Sequence, residues 1–133
     1  MQSKVTVALM TALLVAAPMS GAMADAASDS TTRVAVASSV ADTQAARMAR
    51  NYLSISAFSR SGLIAQLKYE GFTTGQATRA VDSLKVGWKK QAAKSAKSYL
   101  RISPFSRSGL IEQLKYEGFT TSQAKYGVRR AGL

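Results

Sequence analysis

An internal repeat limits the folds that are open to this chain. The stretch FSRSGLIAQLKYEGFTTGQA, residues 58–77, returns as FSRSGLIEQLKYEGFTTSQA, residues 105–124, so the two copies are offset by 47 positions. The match extends upstream through Tyr52 in the first copy and Tyr99 in the second. Such self-similarity is typical of a chain that uses one small structural unit more than once. The sequence therefore predicts two tandem repeats behind a different N-terminal segment.

The first 24 residues have the pattern of an export signal. Lys4 is the one charged residue before Asp25, residues 5–17 are almost wholly apolar, and an Ala-Met-Ala site ends at residue 24. We predict a cleaved signal peptide over residues 1–24 and a secreted or cell-envelope protein. The alternative is an uncleaved membrane anchor, because this apolar stretch is about long enough to cross a bilayer.

Residues 25–43 differ in composition from everything that follows. They are built from Ala, Ser, Thr, Asp and Val with one Arg, lack large aromatic residues, and show no sustained helical or alternating period. We predict a flexible spacer over residues 25–43. The net charge of +11 then lies in the repeats, since residues 44–133 carry sixteen Lys and Arg against four acidic residues, a net +12. A domain of this charge attracts acidic or polyanionic partners.

The spacing of apolar residues predicts three helices in each copy, over residues 44–87 and 88–133. In the first copy Ala45, Ala49 and Tyr52 fall three or four apart, which places them on one face of a first helix. The leucines and isoleucine of the Gly-Leu-Ile-x-Gln-Leu run give the second helix its buried stripe. Both copies have this pattern, so the predicted fold class is all-α.

Local signals predict where the second and third helices begin and end. The second helix is expected to begin at Ser56 or Ser103, whose hydroxyl can accept from the free amides of the first turn. Gly71 is expected to end it in the left-handed cap conformation. Thr73 and Gln76 then form a capping box that begins the third helix. The repeated Gly-Phe-Thr-Thr segment has a sufficient structural cause without any binding role.

A unit of about 45 residues rarely buries enough apolar surface alone. We therefore predict that the two repeats pack together and that duplication completes a shared core. Trp88, the one tryptophan, is predicted to fill the seam between them; the alternative is an exposed ligand-stacking role. Gly62 and Gly109 lie inside predicted helices at a cost of about 1 kcal/mol each relative to alanine. We attribute this repeated cost to a close approach of helices.

The two copies, ARNYLSISAFSRSGLIAQLKYEGFTTGQATRAV and AKSYLRISPFSRSGLIEQLKYEGFTTSQAKYGV, strongly resemble the repeat of the Ltp family, the host cell surface-exposed lipoproteins. The resemblance implies tandem helical repeats that lie outside the bacterial membrane. It also implies phage superinfection exclusion, in which the protein engages the tape-measure protein of an incoming phage and blocks DNA entry. The chain departs from the lipoprotein members in having no lipobox cysteine.

Candidate partner-binding residues stand at matched places in the second helices. A basic and aromatic surface presented twice could hold an acidic helix or an anionic polymer by avidity. The alternative is structural, because cations near a helix C-terminus complement its dipole and tyrosines cover the edge of a core. The candidates are Arg60, Lys68, Tyr69, Arg107, Lys115 and Tyr116.

The composition gives little support to an enzyme. Histidine and cysteine are absent, and no loop has the pattern that cradles phosphate. Glu70 and Glu117 occupy equivalent positions in different copies, and nothing in the sequence places them together. We predict no catalytic residues, no metal site and no cofactor. Short helices with high positive charge are also found in DNA-binding proteins, but export argues against a specific nucleic-acid partner.

Two functional hypotheses follow from the sequence. The first is an exported envelope protein that excludes phages by binding a protein partner, with the tape-measure protein as the partner that the resemblance implies. The alternative is a cationic adaptor that holds anionic cell-wall polymers or a membrane surface.

Overall fold

The computed structural model describes residues 30–133, and the predicted signal peptide over residues 1–24 lies outside them. All regular structure in the described residues is helical, which confirms the all-α prediction. The helices fall into two sets of three, one set in each repeat. Their bounds are α1 Ser30–Ile55, α2 Arg60–Tyr69, α3 Thr74–Ser83, α4 Trp88–Ile102, α5 Arg107–Tyr116 and α6 Thr121–Arg130.

Helix α1 begins earlier than the sequence predicted. It starts at Ser30, so residues 30–43 are helical and the prediction of a stretch without helix is wrong for them. The segment holds three alanines and continues without a break into the first helix of the repeat, so it adds turns to a helix that is already formed. Asp42 also accepts two hydrogen bonds from Arg79 of α3, at 2.8 and 3.0 Å, which ties this end of the helix to the first repeat.

Each repeat folds around its own core. In both, the third helix packs along the first, and the short second helix closes the open side. Alanines of the first helix and leucines of the second lie in the same buried cluster of each repeat. The predicted buried stripes are confirmed at the alanines and leucines, whereas Ile64 and Ile111 are only half-buried. The buried residues are Ala45, Ala49, Leu63, Leu67, Ala77, Ala80 and Val81 in the first repeat, and Ala92, Ala96, Leu110, Leu114, Phe119, Ala124 and Val128 in the second.

The second helices begin three residues later than predicted. Their N-caps are Ser59 and Ser106, whose hydroxyls accept from the backbone amides of Gly62 and Gly109 at 2.9 and 3.0 Å. Ser103, which was predicted to cap α5, instead caps the C-terminus of α4. The delay leaves an extended link in which each repeat's phenylalanine packs edge-on against its tyrosine, with ring centroids 5.7 and 5.6 Å apart.

The junction between the second and third helices matches the prediction. Gly71 has φ +101° and Gly118 has φ +99°, conformations that a residue without a Cβ adopts at little cost. The following phenylalanine amide bonds back to the last turn in both copies. Thr73 and Thr120 each form a complete capping box with the glutamine three residues on. This junction is therefore architecture in both repeats.

The repeats contact each other, but the prediction of a shared core is wrong. Their buried residues form two separate clusters, and a polar seam joins them. Ser59 donates to the carbonyl oxygen of Glu117, and Ser61 donates to that of Gly118 at 3.2 Å. The amide of Phe58 donates to Gln91 Oε1 at 3.3 Å.

Trp88 adds an apolar contact to this seam. It is the first residue of α4, yet its half-buried side chain packs against the core of the first repeat. The prediction that Trp88 lies between the repeats is confirmed.

Candidate functional site

A partly buried polar network accounts for three of the repeated residues in the first copy. Tyr52 donates to Glu70 Oε1 and accepts from Gln66 Nε2 at 3.1 Å. Gln66 also donates to the Glu70 carboxylate at 3.4 Å. Burial, and then the hydrogen bond to the carboxylate, raises the pKa of the Tyr52 hydroxyl above its usual value. The network joins the first helix of the repeat to the end of the second.

The second copy repeats this network and extends it. Tyr99 donates to Glu117 Oε1 and accepts from Gln113 Nε2 at 3.1 Å, while Ser95 donates to Glu117 Oε2 at 3.0 Å. Burial raises the pKa of the Glu117 carboxyl, against the opposing effect of the Ser95 hydrogen bond. Each of these two carboxylates thus takes its hydrogen bonds from its own repeat. Sequence reasoning missed both networks, although the same Tyr, Gln and Glu spacing in the two copies could have indicated them.

The candidate Arg60 is held by an ion pair. Its Nε and Nη2 donate to the two carboxylate oxygens of Asp82 at 2.7 and 2.8 Å, so the guanidinium and carboxylate meet as a fork. Hydrogen bonding by Arg60 lowers the pKa of the Asp82 carboxyl. Arg60 therefore already has an acidic partner within its own repeat.

The counterpart Arg107 stands in a different setting. It is the exposed first residue of α5. The position that matches Asp82, 47 residues on, holds Arg129, which is also exposed. Within residues 30–133 neither arginine has an acidic partner within 4 Å. The two copies, predicted to present one shared face, differ at this point.

The remaining candidates lie at the other ends of the same helices. Lys68 follows Arg60 by eight residues, a rise of about 12 Å along the helix, so the predicted set does not form one compact site. Tyr69 and Tyr116 are 81% and 88% exposed, which leaves their rings free of the core they were thought to cover. Lys115 pairs with Glu112 at 3.0 Å. Partner binding by these residues stays a prediction.

These features define a class of protein with two tandem three-helix repeats, each closed by its own core and its own tyrosine, glutamine and glutamate network. A family model described as host cell surface-exposed lipoprotein matches the chain twice, over residues 41–84 and 87–130. The matches cover 88 of the 133 residues, and the chain belongs to this family. No curated protein and no solved structure gives a significant match.

The family description places such proteins at the cell surface. Over residues 30–133, no helix combines the length and the apolar character that crossing a membrane requires. The 133 residues contain no cysteine to which a lipid could be attached.

Proposed function

We propose that this chain is an exported cell-envelope binding protein that acts in phage superinfection exclusion. It binds a protein partner, the tape-measure protein of an incoming phage, and so blocks DNA entry after adsorption. A cleaved signal peptide over residues 1–24 delivers it to the envelope. Binding rather than catalysis is the mode of action, because the polar residues repeated in both copies are used to hold the helices together.

The observation that carries this proposal is an uneven distribution of charge. The matched stretch 41–84 holds five Lys and Arg against three acidic residues, a net +2. The stretch 87–130 holds ten against two, a net +8. Every buried side-chain nitrogen and oxygen in the described residues already has a hydrogen bond. The polar groups that can bind another protein therefore lie on the surface. A surface of this sign favours and steers an acidic protein partner.

The experiment is expression of the full chain in a phage-sensitive host, with phage adsorption and DNA entry measured separately. Adsorption should be unchanged while DNA entry falls. Deletion of residues 2–24 gives the matched control, since this form keeps both repeats and loses the predicted export signal, and it should give no protection. Unimpaired DNA entry across the phages tested would refute the proposal. A fall in entry that only follows a fall in adsorption would point instead to receptor masking.

The same net +8 favours a second candidate, a cationic adaptor that holds anionic wall polymers or a membrane surface. Such binding is driven by ion release and should weaken steeply as salt rises. Retention on isolated cell walls, measured against salt concentration, tests it. Absent or salt-insensitive retention would remove this candidate.

A further inference from the structure

We propose that the second repeat carries an open carboxylate-binding site formed by Arg107 and Arg129, and that its occupant is an aspartate or glutamate side chain of the protein partner. The inference deepens the proposed function and rests on it only for the protein nature of the partner. The first repeat contains an internal copy of the same site, in which an aspartate of the chain itself is bound.

In the first repeat, the filled site is the fork between Arg60 and Asp82. Arg60 begins α2, and Asp82 lies in the last turn of α3. The N–O distances of 2.7 and 2.8 Å show that an arginine and an aspartate side chain at these two positions reach each other directly. Both side chains are about half exposed, at 45% and 49%, so the pair forms at the surface.

The second repeat keeps the same backbone at these positions. The N-caps of α2 and α5 have φ, ψ of −76°, 161° and −72°, 157°, and those of α3 and α6 have −68°, 160° and −67°, 159°. Helices α2, α3, α5 and α6 are each ten residues long. Arg107 and Arg129 therefore occupy the same places on their helices as Arg60 and Asp82.

A pair of equivalent positions on the first and third helices also stays in contact in both repeats. Asp42 and Arg79 form an ion pair between the first and third helices of the first repeat. Their counterparts are Lys89 and Tyr126, and Lys89 Nζ lies 5.6 Å from the centroid of the Tyr126 ring. The contact is kept although the ion pair has become a cation–π contact. Equivalent positions thus stay neighbours in both repeats when their residues change.

At the arginine position the change removes the acid. Asp82 is replaced by Arg129, so the second repeat has an arginine at both of the positions where the first repeat has one arginine and one aspartate. The described residues supply no acidic group to either arginine. Like charges in this arrangement repel, and an external carboxylate relieves the repulsion while accepting hydrogen bonds from both planar forks.

The first repeat also favours a carboxylate over a phosphate as occupant. There, Arg60 binds the carboxylate of Asp82, a side chain that projects from helix α3. A partner that carries an aspartate or glutamate on an exposed helix reproduces this arrangement between molecules. Arginine matches both anions, so the phosphate of a wall polymer is the alternative that the experiment has to separate.

The experiment measures binding of a labelled oligo-aspartate peptide to the purified protein by fluorescence anisotropy at near-physiological salt, with polyphosphate in a parallel arm. Arg129→Asp rebuilds in the second repeat the pair that closes the first. It should weaken peptide binding by about tenfold, equivalent to about 1.4 kcal/mol. Lys94→Asp is the matched control, because it alters an exposed residue by the same charge and should weaken binding far less.

Asp82→Arg makes the opposite change by opening the site of the first repeat. It should raise the number of peptides bound per chain from one to two. Arg129→Asp should also melt no lower than the parent protein, since it replaces a repulsion by an ion pair. An unchanged melting temperature would show that weaker peptide binding does not come from unfolding.

Equal weakening by Arg129→Asp and Lys94→Asp would overturn the inference, because binding would then follow net charge alone. Binding of polyphosphate without binding of the peptide would overturn the carboxylate as occupant. An unchanged stoichiometry in Asp82→Arg would overturn the equivalence of the two sites. None of these measurements uses a phage, so the carboxylate site and phage exclusion can fail separately.

Discussion

Replacing Gly118 by alanine should loosen the joint between the repeats, whereas the same change at Gly71 should strain only a turn. Both glycines follow the second helix of a repeat with φ near +100°, so alanine pays the same backbone cost at both. Their surroundings differ. A Cβ at Gly71 meets nothing within 4 Å, while one at Gly118 would lie 2.0 Å from Ser61 Oγ and 2.8 Å from Ser59 Oγ.

The magnitude follows from these contacts. The left-handed conformation costs a residue with a Cβ about 1–2 kcal/mol, which is the whole effect expected for Gly71→Ala. In Gly118→Ala the two serine hydroxyls must also turn away and lose their hydrogen bonds to the carbonyl oxygens of Glu117 and Gly118. Ser59 then also loses the hydrogen bond from the Gly62 amide by which it caps α2. At about 1 kcal/mol for each of these three bonds, the free energy of unfolding should fall by about 3 kcal/mol more than in Gly71→Ala.

Urea unfolding followed by far-ultraviolet circular dichroism measures both losses. Fluorescence of Trp88, the one tryptophan, reports on the seam itself. In a Ser61→Ala background the excess cost of Gly118→Ala should shrink, because the hydrogen bond from Ser61 is already gone. Equal destabilisation by the two glycine substitutions, with unchanged Trp88 fluorescence, would refute the reasoning.

Three further predictions concern packing and pH. Gly127→Ala should lower stability by about 1–3 kcal/mol in thermal melting, because its Cβ would lie 2.6 Å from the backbone of Ala92, which cannot turn aside. Burial raises the pKa of Glu117 above its ordinary 4.5, so its contribution to stability is full below that pH and is lost as pH rises through the raised pKa; urea unfolding of Glu117→Gln against pH should lack this component. Trp88→Ala should cost about 2 kcal/mol and speed amide exchange in the first core, and equal acceleration in the second repeat would contradict the separation of the cores.

The parts of the fold that depend on neighbouring residues could be predicted from the sequence. The Gly71 stop and the Thr73 capping box follow from side chains and amides within a few positions of each other, and the repeat made each of them visible twice. The start of α2 could not be fixed in this way. Ser56 and Ser59 can both cap a helix, and the choice depends on Phe58, which packs against Tyr52 of the preceding helix.

Contacts between helices were harder to predict. Gly62 and Gly109 were attributed to close helix approach, but an added Cβ would meet first the hydroxyl of the helix's own capping serine, at 2.8 and 2.9 Å. The close approach lies at Gly127 instead, against Ala92 of α4. Such distances are set by how two helices cross, which periodicity alone does not give.

The residue types at the candidate positions can be read from the sequence, but their arrangement in space cannot. Arg60 and Arg107 look equivalent when only the second helices are compared, because the residue that separates their roles lies 22 positions further on. Comparison of Asp82 with Arg129 could have revealed the difference. The separate cores were missed because we judged from chain length that one repeat buries too little apolar surface. In the structure, the alanines and leucines of each three-helix repeat form a buried cluster of their own.

The seam has a direction. The first repeat supplies the serine donors and the second supplies the backbone carbonyl acceptors. In the described residues Ser106 and Ser108, the counterparts of those donors, make no bond to the other repeat, and Gly71 leaves open space at the counterpart of the acceptor end. The second repeat therefore keeps an unused pair of serine donors, and the first repeat keeps an unused acceptor end. A longer array could be engineered by adding units in the same order, without designing a new contact.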